Sequence, residues 1–105
     1  MHTLAVEVNL EKKWSFADSK NVAVITLKQI ISDGEPILHV THDSDDGAWQ
    51  FLGWDDAKEE DARIVALSEI VQLDPSVQQL ADLPLGWHAW RRARNEQWQR
   101  GRNDP

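Results

Sequence analysis

Tryptophan is the feature of this sequence that most restricts how the chain can fold. Six of its 105 residues are Trp, alongside two Phe and no Tyr. Each indole is large and carries an N–H group that needs a hydrogen-bond acceptor when it is buried. The core that one chain of this length can enclose does not hold six such side chains completely. We therefore expect some of them to pack inside and others to lie at the rim of the core.

Length and composition predict one domain without covalent cross-links, residues 1–105. Folding at this size buries about two-thirds of the surface of the unfolded chain, which suffices for a single core. Cysteine is absent, which excludes disulfides, thiolate metal sites and a cysteine nucleophile. No apolar run approaches the ~18 residues of a membrane-spanning helix, and the first residues do not resemble a signal peptide. A cytoplasmic protein is expected.

Charge is distributed unevenly along the chain. The first 90 residues hold six Lys and Arg against sixteen Asp and Glu, whereas residues 91–105 hold five Arg against two acids. The formal net charge is −7. Because phosphates would be repelled over most of this surface, binding to nucleic acid or to an anionic membrane is not expected. The basic segment can contact an acidic partner or the acids of its own domain, and the second is favoured.

Alternation and β-branched runs predict the strands. Apolar and polar residues alternate over residues 4–10, which predicts an N-terminal strand within residues 1–13. Further strands are predicted over residues 21–26, 37–42, 48–53, 87–92 and 97–100. The second and third of these flank an Asp- and Gly-rich turn, which predicts an antiparallel hairpin with a five-residue loop. Residues 101–105 are predicted to be a disordered tail.

Helices are predicted to be short. Residues 27–31 allow one or two turns, and residues 64–67 suit either a strand or the start of a helix. Asp74 and Pro75 are a typical N-cap and first helical residue. Because strands and helices do not alternate regularly, we predict an α+β fold. It has a mainly antiparallel sheet and a few short helices that form a single layer on one face.

The densest polar cluster of the sequence lies within residues 39–46. Imidazoles and carboxylates are ligands of zinc, manganese and iron, so His42, Asp43 and Asp45 are the candidate metal ligands. His39 and His42 are three residues apart, so on a strand they face opposite sides of a sheet. The spacing of acids in a calcium-binding loop is not met either. A turn whose carboxylates accept backbone amides is therefore favoured, and no metal or other cofactor is expected.

Sequence motifs of nucleophilic or phosphate-binding enzymes are absent. No serine lies in a G-x-S-x-G motif, and neither G-x-G-x-x-G nor a P-loop occurs. The 18 Asp and Glu residues allow a carboxylate pair for acid–base chemistry without specifying one. The sequence therefore does not favour an enzyme, and no catalytic residue is assigned.

Aromatic and basic residues favour protein binding instead. Trp and Arg are enriched in the hot spots of protein interfaces, and residues 87–92 contain two of each. Trp87 and Trp90 are three residues apart, so in a strand they face opposite ways. Contacts to a protein partner are predicted at Asp45, Asp46, Trp49, Trp54, Trp87, Trp90 and Arg91.

Two alternatives to these contact assignments remain open within the sequence. Trp49 and Phe51 are two residues apart, so both can lie on one strand face and pack in the core. Arg91 or Arg92 can stack on a Trp of the same domain in a cation–π contact.

Several short motifs, taken in order, resemble one protein family. They are Trp14–Phe16, Asn21–Val24, His39–Asp43, Asp45–Leu52, Leu73–Ser76, Leu80–Trp87, Ala89–Arg91 and Trp98. Their order is similar to that of a small bacterial domain of unknown function grouped with the immunity proteins of polymorphic toxin systems. The likeness spans residues 14–100. This chain departs from the family pattern at one turn: Ala48 separates Gly47 from Trp49, whereas Gly and Trp are adjacent in the family. The resemblance implies a bacterial, cytoplasmic, non-enzymatic protein that binds a partner such as a toxin.

Three functions follow, in order of preference. The first is a protein-binding module of immunity-protein-like type, whose acidic surface would attract a basic toxin. The second is a self-associating structural domain that forms a homodimer. The third is a small metal-binding protein or enzyme that uses His39, His42 and the acidic residues among Asp43–Asp46.

Overall fold

Six strands form one mixed sheet in the computed structural model, which describes residues 14–103. They are β1 (Ala23–Leu27), β2 (His39–His42), β3 (Trp49–Leu52), β4 (Ala62–Ala66), β5 (Trp87–Trp90) and β6 (Gln99–Arg102). Their order across the sheet is β4-β1-β3-β2-β5-β6. Neighbouring strands are antiparallel, except that β1 and β3 are parallel. The N-terminal strand predicted within residues 1–13 lies outside the described residues.

Short helical segments connect the strands over the same part of the chain. They are α1 (Lys28–Asp33), α2 (Leu67–Leu73) and two 3-10 segments, Glu59–Asp61 and Pro75–Leu80. The predicted α+β class is confirmed, with a few short helices. The ambiguous residues 64–67 contain a boundary, because β4 ends at Ala66 and α2 begins at Leu67. None of the helices within residues 14–103 is long and apolar enough to cross a membrane.

Asp74 caps the second 3-10 segment as the sequence predicts. Its carboxylate accepts hydrogen bonds from the Ser76 backbone N–H at 3.0 Å and from the Ser76 hydroxyl at 2.6 Å. Pro75 occupies the first helical position, where a missing N–H costs nothing. Val77 and Leu80, which share one face, are completely buried.

Two boundaries differ from the prediction. The loop between β2 and β3 has six residues, 43–48, because His42 pairs directly with Trp49. The last strand is shifted by two residues relative to the predicted range 97–100, since Trp98 packs against Arg91 before β6 begins at Gln99. Residues 101 and 102 therefore belong to β6, where Arg102 pairs with Trp87, and not to a disordered tail.

The core is one cluster that includes residues of strands and of helical segments. Its strand residues include Val24, Val40, Trp49, Phe51 and Ala89, and its helical residues are Ile30, Leu67, Ile70, Val77 and Leu80. Val40 lies opposite Phe51 on β3 and opposite Ala89 on β5, so these core positions share one face of the sheet. All three are fully buried.

Gly86 provides a test of the turn that leads into β5. Its φ is 82°, its N–H donates to the His42 carbonyl at 2.7 Å, and its carbonyl accepts from the Asn103 N–H at 2.7 Å. A side chain at this left-handed position is strained, so Gly86→Ala is expected to lower the free energy of unfolding by about 1–2 kcal/mol. Gly53→Ala is the matched control, since Gly53 has no positive φ and open space around it. Equal losses for both in urea unfolding would contradict this account of the turn.

Candidate functional site

The seven predicted contact residues do not form one surface. In the register of the sheet, Trp49 and Trp87 flank His42 at one end of the strands, and Trp90 lies at the other end beside His39. Because three residue steps separate the two ends, they are about 10 Å apart. The acids at 45 and 46 lie in the turn beyond the first end, and the indole at 54 follows β3 beyond the second.

Trp49 is part of the core and is not available to a partner. It is 2% exposed, and its ring stacks on His42 at a centroid distance of 3.8 Å and meets Phe16 edge-on at 5.2 Å. Its Nε1–H donates to the Asp18 carboxylate at 3.3 Å. The alternative assignment, in which Trp49 and Phe51 pack together, is confirmed by their stacked rings.

Arg91 is likewise interior, which corrects its assignment as a contact residue. It is 2% exposed, forms an ion pair with Asp74 at 2.5 Å, and donates to the carbonyls of Ile37 and Arg94. Its guanidinium lies 4.0 Å from the centroid of the Trp98 ring. The cation–π alternative from the sequence is therefore confirmed for Arg91. The ion pair also connects the end of β5 to Asp74, the N-cap residue of the second 3-10 segment.

The other three tryptophans that were predicted to contact a partner occupy three different environments. Trp87 is half-buried and packs against the core cluster, whereas Trp90 points to the other side of β5 and contacts the His88 ring at 4.9 Å. The predicted opposition of these two residues is confirmed. Trp54 is 57% exposed and lines a shallow groove with Leu38 and Arg92.

The side chains of the polar cluster at residues 39–46 do not share one site. Each of them either bonds to a different group of the protein or is exposed. The Nδ1 atom of His42 lies 2.7 Å from the Leu83 carbonyl, and its ring stacks on the core side of the sheet. Asp43 accepts a hydrogen bond from Gln50 at 2.8 Å, and Asp46 accepts one from the Ala48 N–H at 2.9 Å. The candidate ligands His42, Asp43 and Asp45 do not converge. Nowhere within residues 14–103 do three His, Asp or Glu side chains form a group that could hold a metal ion.

A small cleft adjoins the buried ion pair. Its volume is about 210 Å³, and its lining includes Ile30, Leu73, Asp74 and Arg94. Ligand-binding pockets usually enclose about 300–1,000 Å³. Arg94 also donates to the carbonyl of Gly34 at 3.0 Å, which holds one wall of the cleft. The cleft is therefore a poor candidate for the site of an organic ligand.

The side of the sheet opposite the core positions carries an uncharged row that crosses all six strands. In register it consists of Ile64, Ile25, Gln50, Thr41, His88 and Gly101, and we call this side the outer face. A second row on the same side contains Leu52, His39, Trp90 and Gln99. Neither row includes Lys, Arg, Asp or Glu, although 28% of the chain is charged. Ile64 is 75% exposed.

Two histidines form a pair within the outer face. The Nε2 atom of His39 and the Nδ1 atom of His88 are 3.0 Å apart and share a hydrogen bond, and the two rings are nearly perpendicular. Burial, followed by the nearby His88, lowers the pKa of His39 below its usual value. Both imidazoles are half-buried, so the pair is accessible from the outer face.

This pair could not be predicted from the sequence, because 49 residues separate its members along the chain. The one sequence signal for the pair is the alternation of side chains within β2 and β5, which places each histidine on the opposite side of its strand from the adjacent core residue. Without the pairing of these two strands, that signal does not bring the imidazoles together.

Comparisons of this chain with protein-family models, with curated proteins and with solved structures returned no match.

Proposed function

We propose that this chain is a non-enzymatic protein-binding domain of the immunity-protein-like type, and that it binds its partner through the outer face. The observation that carries the proposal is the uncharged row across all six strands of a strongly charged chain. The cores of protein interfaces are depleted of charged residues, and the two rows of the outer face contain none. Trp90 is its aromatic residue, and Ile64 is an exposed apolar residue at its edge.

The proposal includes the position of the helices. The buried residues of α1, α2 and the second 3-10 segment belong to the same cluster as Val40, Phe51 and Ala89. We infer that the helices form one layer on that side of the sheet. The outer face is then free of helices from residues 14–103, and an exposed side chain such as Ile64 is accessible to a partner.

Acidic loops flank the outer face at both ends of the central strands. The turn between β2 and β3 holds Asp43, Asp45 and Asp46. The connection from β3 to β4 holds Asp55, Asp56, Glu59 and Glu60, with Lys58 as its basic residue. The connection from β5 to β6 lies at the second of these ends and adds exposed Arg92 and Arg94 beside β5, so the rim is mainly but not entirely acidic. An uncharged centre with such a rim fits a partner that has an apolar patch bordered mainly by Lys and Arg.

Charge favours a foreign partner over a second copy of the chain. Two copies would bring net charges of −7 together, and their acidic rims would repel one another. A basic protein would instead be attracted over a distance of about one Debye length, roughly 8 Å at physiological ionic strength. We therefore propose a basic protein partner, and a toxin is the partner that the family resemblance implies.

A charge placed on the outer face is expected to abolish partner binding. Ile64→Glu puts a carboxylate in the uncharged row at a position that is exposed, so the fold is retained. Leu73→Glu is the matched control, because Leu73 is also exposed, at 49%, but ends α2. The measurement is affinity capture from a lysate of the source organism with wild type and both variants, read by quantitative mass spectrometry.

The expected result is one basic protein that is retained by wild type and Leu73→Glu and is at least about tenfold depleted with Ile64→Glu. Its yield should fall as salt is raised from low to moderate concentration, because the acidic rim is screened. Equal retention by all three proteins would show that the partner binds elsewhere. Recovery of the bait alone, from cells that express the chain, would count against protein binding.

A further inference from the structure

We propose that His39 and His88 form a binding site for one divalent transition-metal ion of the zinc and copper group. The pair lies on the outer face, but this inference rests on other observations than the proposed protein partner does. Two ring nitrogens bound to one tetrahedral zinc ion at 2.0–2.1 Å are separated by about 3.3 Å. The Nε2 atom of His39 and the Nδ1 atom of His88 are already 3.0 Å apart. One of these two nitrogens carries the proton of their hydrogen bond, and metal binding requires that proton to move to the other nitrogen of the same ring. A small rotation of the two rings would then aim both lone pairs at one ion.

The positions of these imidazoles are set by backbone pairing and not by long flexible side chains. His39 and His88 lie on β2 and β5, and the antiparallel ladder between the strands pairs all four residues of each. Thr41 lies directly opposite His88 on the same face. A ligand pair held on two paired strands loses little conformational freedom when an ion binds.

Thr41 provides a second, independent observation at this position. The residue is 8% exposed, and its hydroxyl oxygen is buried without a hydrogen-bond partner among the described residues. A buried hydroxyl without a partner is uncommon, because its desolvation is uncompensated. A water molecule bound to the metal ion could donate to this oxygen and satisfy it.

The chemistry of the pair selects the class of ion. Neutral imidazole is a ligand of zinc, copper and nickel, whereas magnesium and calcium prefer oxygen donors. With two protein ligands the site is open, and water completes the coordination. Copper is expected to bind more tightly than zinc, in the usual order of affinities.

Isothermal titration of the full chain, without an affinity tag, with ZnCl₂ tests the proposal. We expect one ion per chain at pH 7.5, and at least about tenfold weaker binding by His39→Ala and by His88→Ala. His2→Ala is the control for binding by another histidine and is expected to behave as wild type. Binding that is unchanged in both His39→Ala and His88→Ala would overturn the proposal, and so would the absence of binding by the folded wild-type chain.

A spectroscopic measurement locates the ion. The His88 and Trp90 rings are 4.9 Å apart, so bound Cu²⁺ is expected to quench the fluorescence of Trp90. The quenching should shrink by at least about twofold in Trp90→Phe and disappear in His88→Ala. Thermal unfolding of each variant in EDTA checks that the fold is retained. Quenching that persists in a folded His88→Ala variant would place the ion elsewhere and contradict the assignment.

Discussion

Asp74→Asn is expected to lower the free energy of unfolding by about 3–5 kcal/mol. The substitution leaves the guanidinium of Arg91 buried without its counter-charge, since Arg91 is 2% exposed and pairs with Asp74. Asn is itself a good N-cap residue and still accepts from the Ser76 N–H. The loss therefore reports the buried charge and not the cap. Urea unfolding followed by circular dichroism measures it.

Asp82→Asn is the matched control for this measurement. Asp82 also pairs with an arginine, Arg100, at 2.8 Å, but its side chain is 79% exposed. Solvent screens such a pair, so we expect no measurable change in stability. Equal losses of stability in Asp74→Asn and Asp82→Asn would mean that the guanidinium of Arg91 is hydrated and that its ion pair with Asp74 is not buried.

Trp49→Ala is expected to be about equally damaging, with a loss of about 3–5 kcal/mol. Trp49 lies on a central strand, is 2% exposed, and contacts His42, Phe16 and Phe51. Truncation removes most of a large buried side chain and leaves a cavity among aromatic rings that cannot close completely. The same unfolding measurement tests this.

Trp54→Ala is the matched control for Trp49→Ala, because it removes an indole that is exposed and not packed in the core. The two indoles are five residues apart and both were predicted contacts, but Trp54 is 57% exposed. We expect its truncation to change the free energy of unfolding by less than about 0.5 kcal/mol. A comparable loss at both positions would mean that Trp54 packs in the core and that the register of β3 is misassigned.

Much of the fold could be predicted because local patterns agree with it. The β-branched run before α1 and the Asp-Gly turn before Trp49 specify β1 and the hairpin of β2 and β3 through backbone preferences alone. The Asp74-Pro75 pair specifies the start of a helical segment for the same reason. The parallel contact of β1 with β3 could not be predicted, because the order of strands depends on non-local packing.

The candidate site was harder to predict than the fold, since exposure depends on tertiary contacts. Trp and Arg are enriched at interfaces, yet Trp49 and Arg91 are interior here. Composition cannot distinguish a buried arginine that has an Asp74 partner from an exposed one. The outer face and its histidine pair could not be predicted, because they depend on the pairing of all six strands. That pairing brings together residues as far apart in the sequence as Ile25 and Gly101.

Site-specific photo-crosslinking in cells of the source organism tests whether the outer face is the surface that binds the partner. A photoreactive phenylalanine analogue is placed at position 64 on the outer face, or at position 73 at the end of α2, and adducts are identified by mass spectrometry. If the outer face binds the partner, position 64 gives one covalent adduct with a basic protein and position 73 gives none. Adducts with that protein from position 73 and not from position 64 would show that the outer face is not the binding surface.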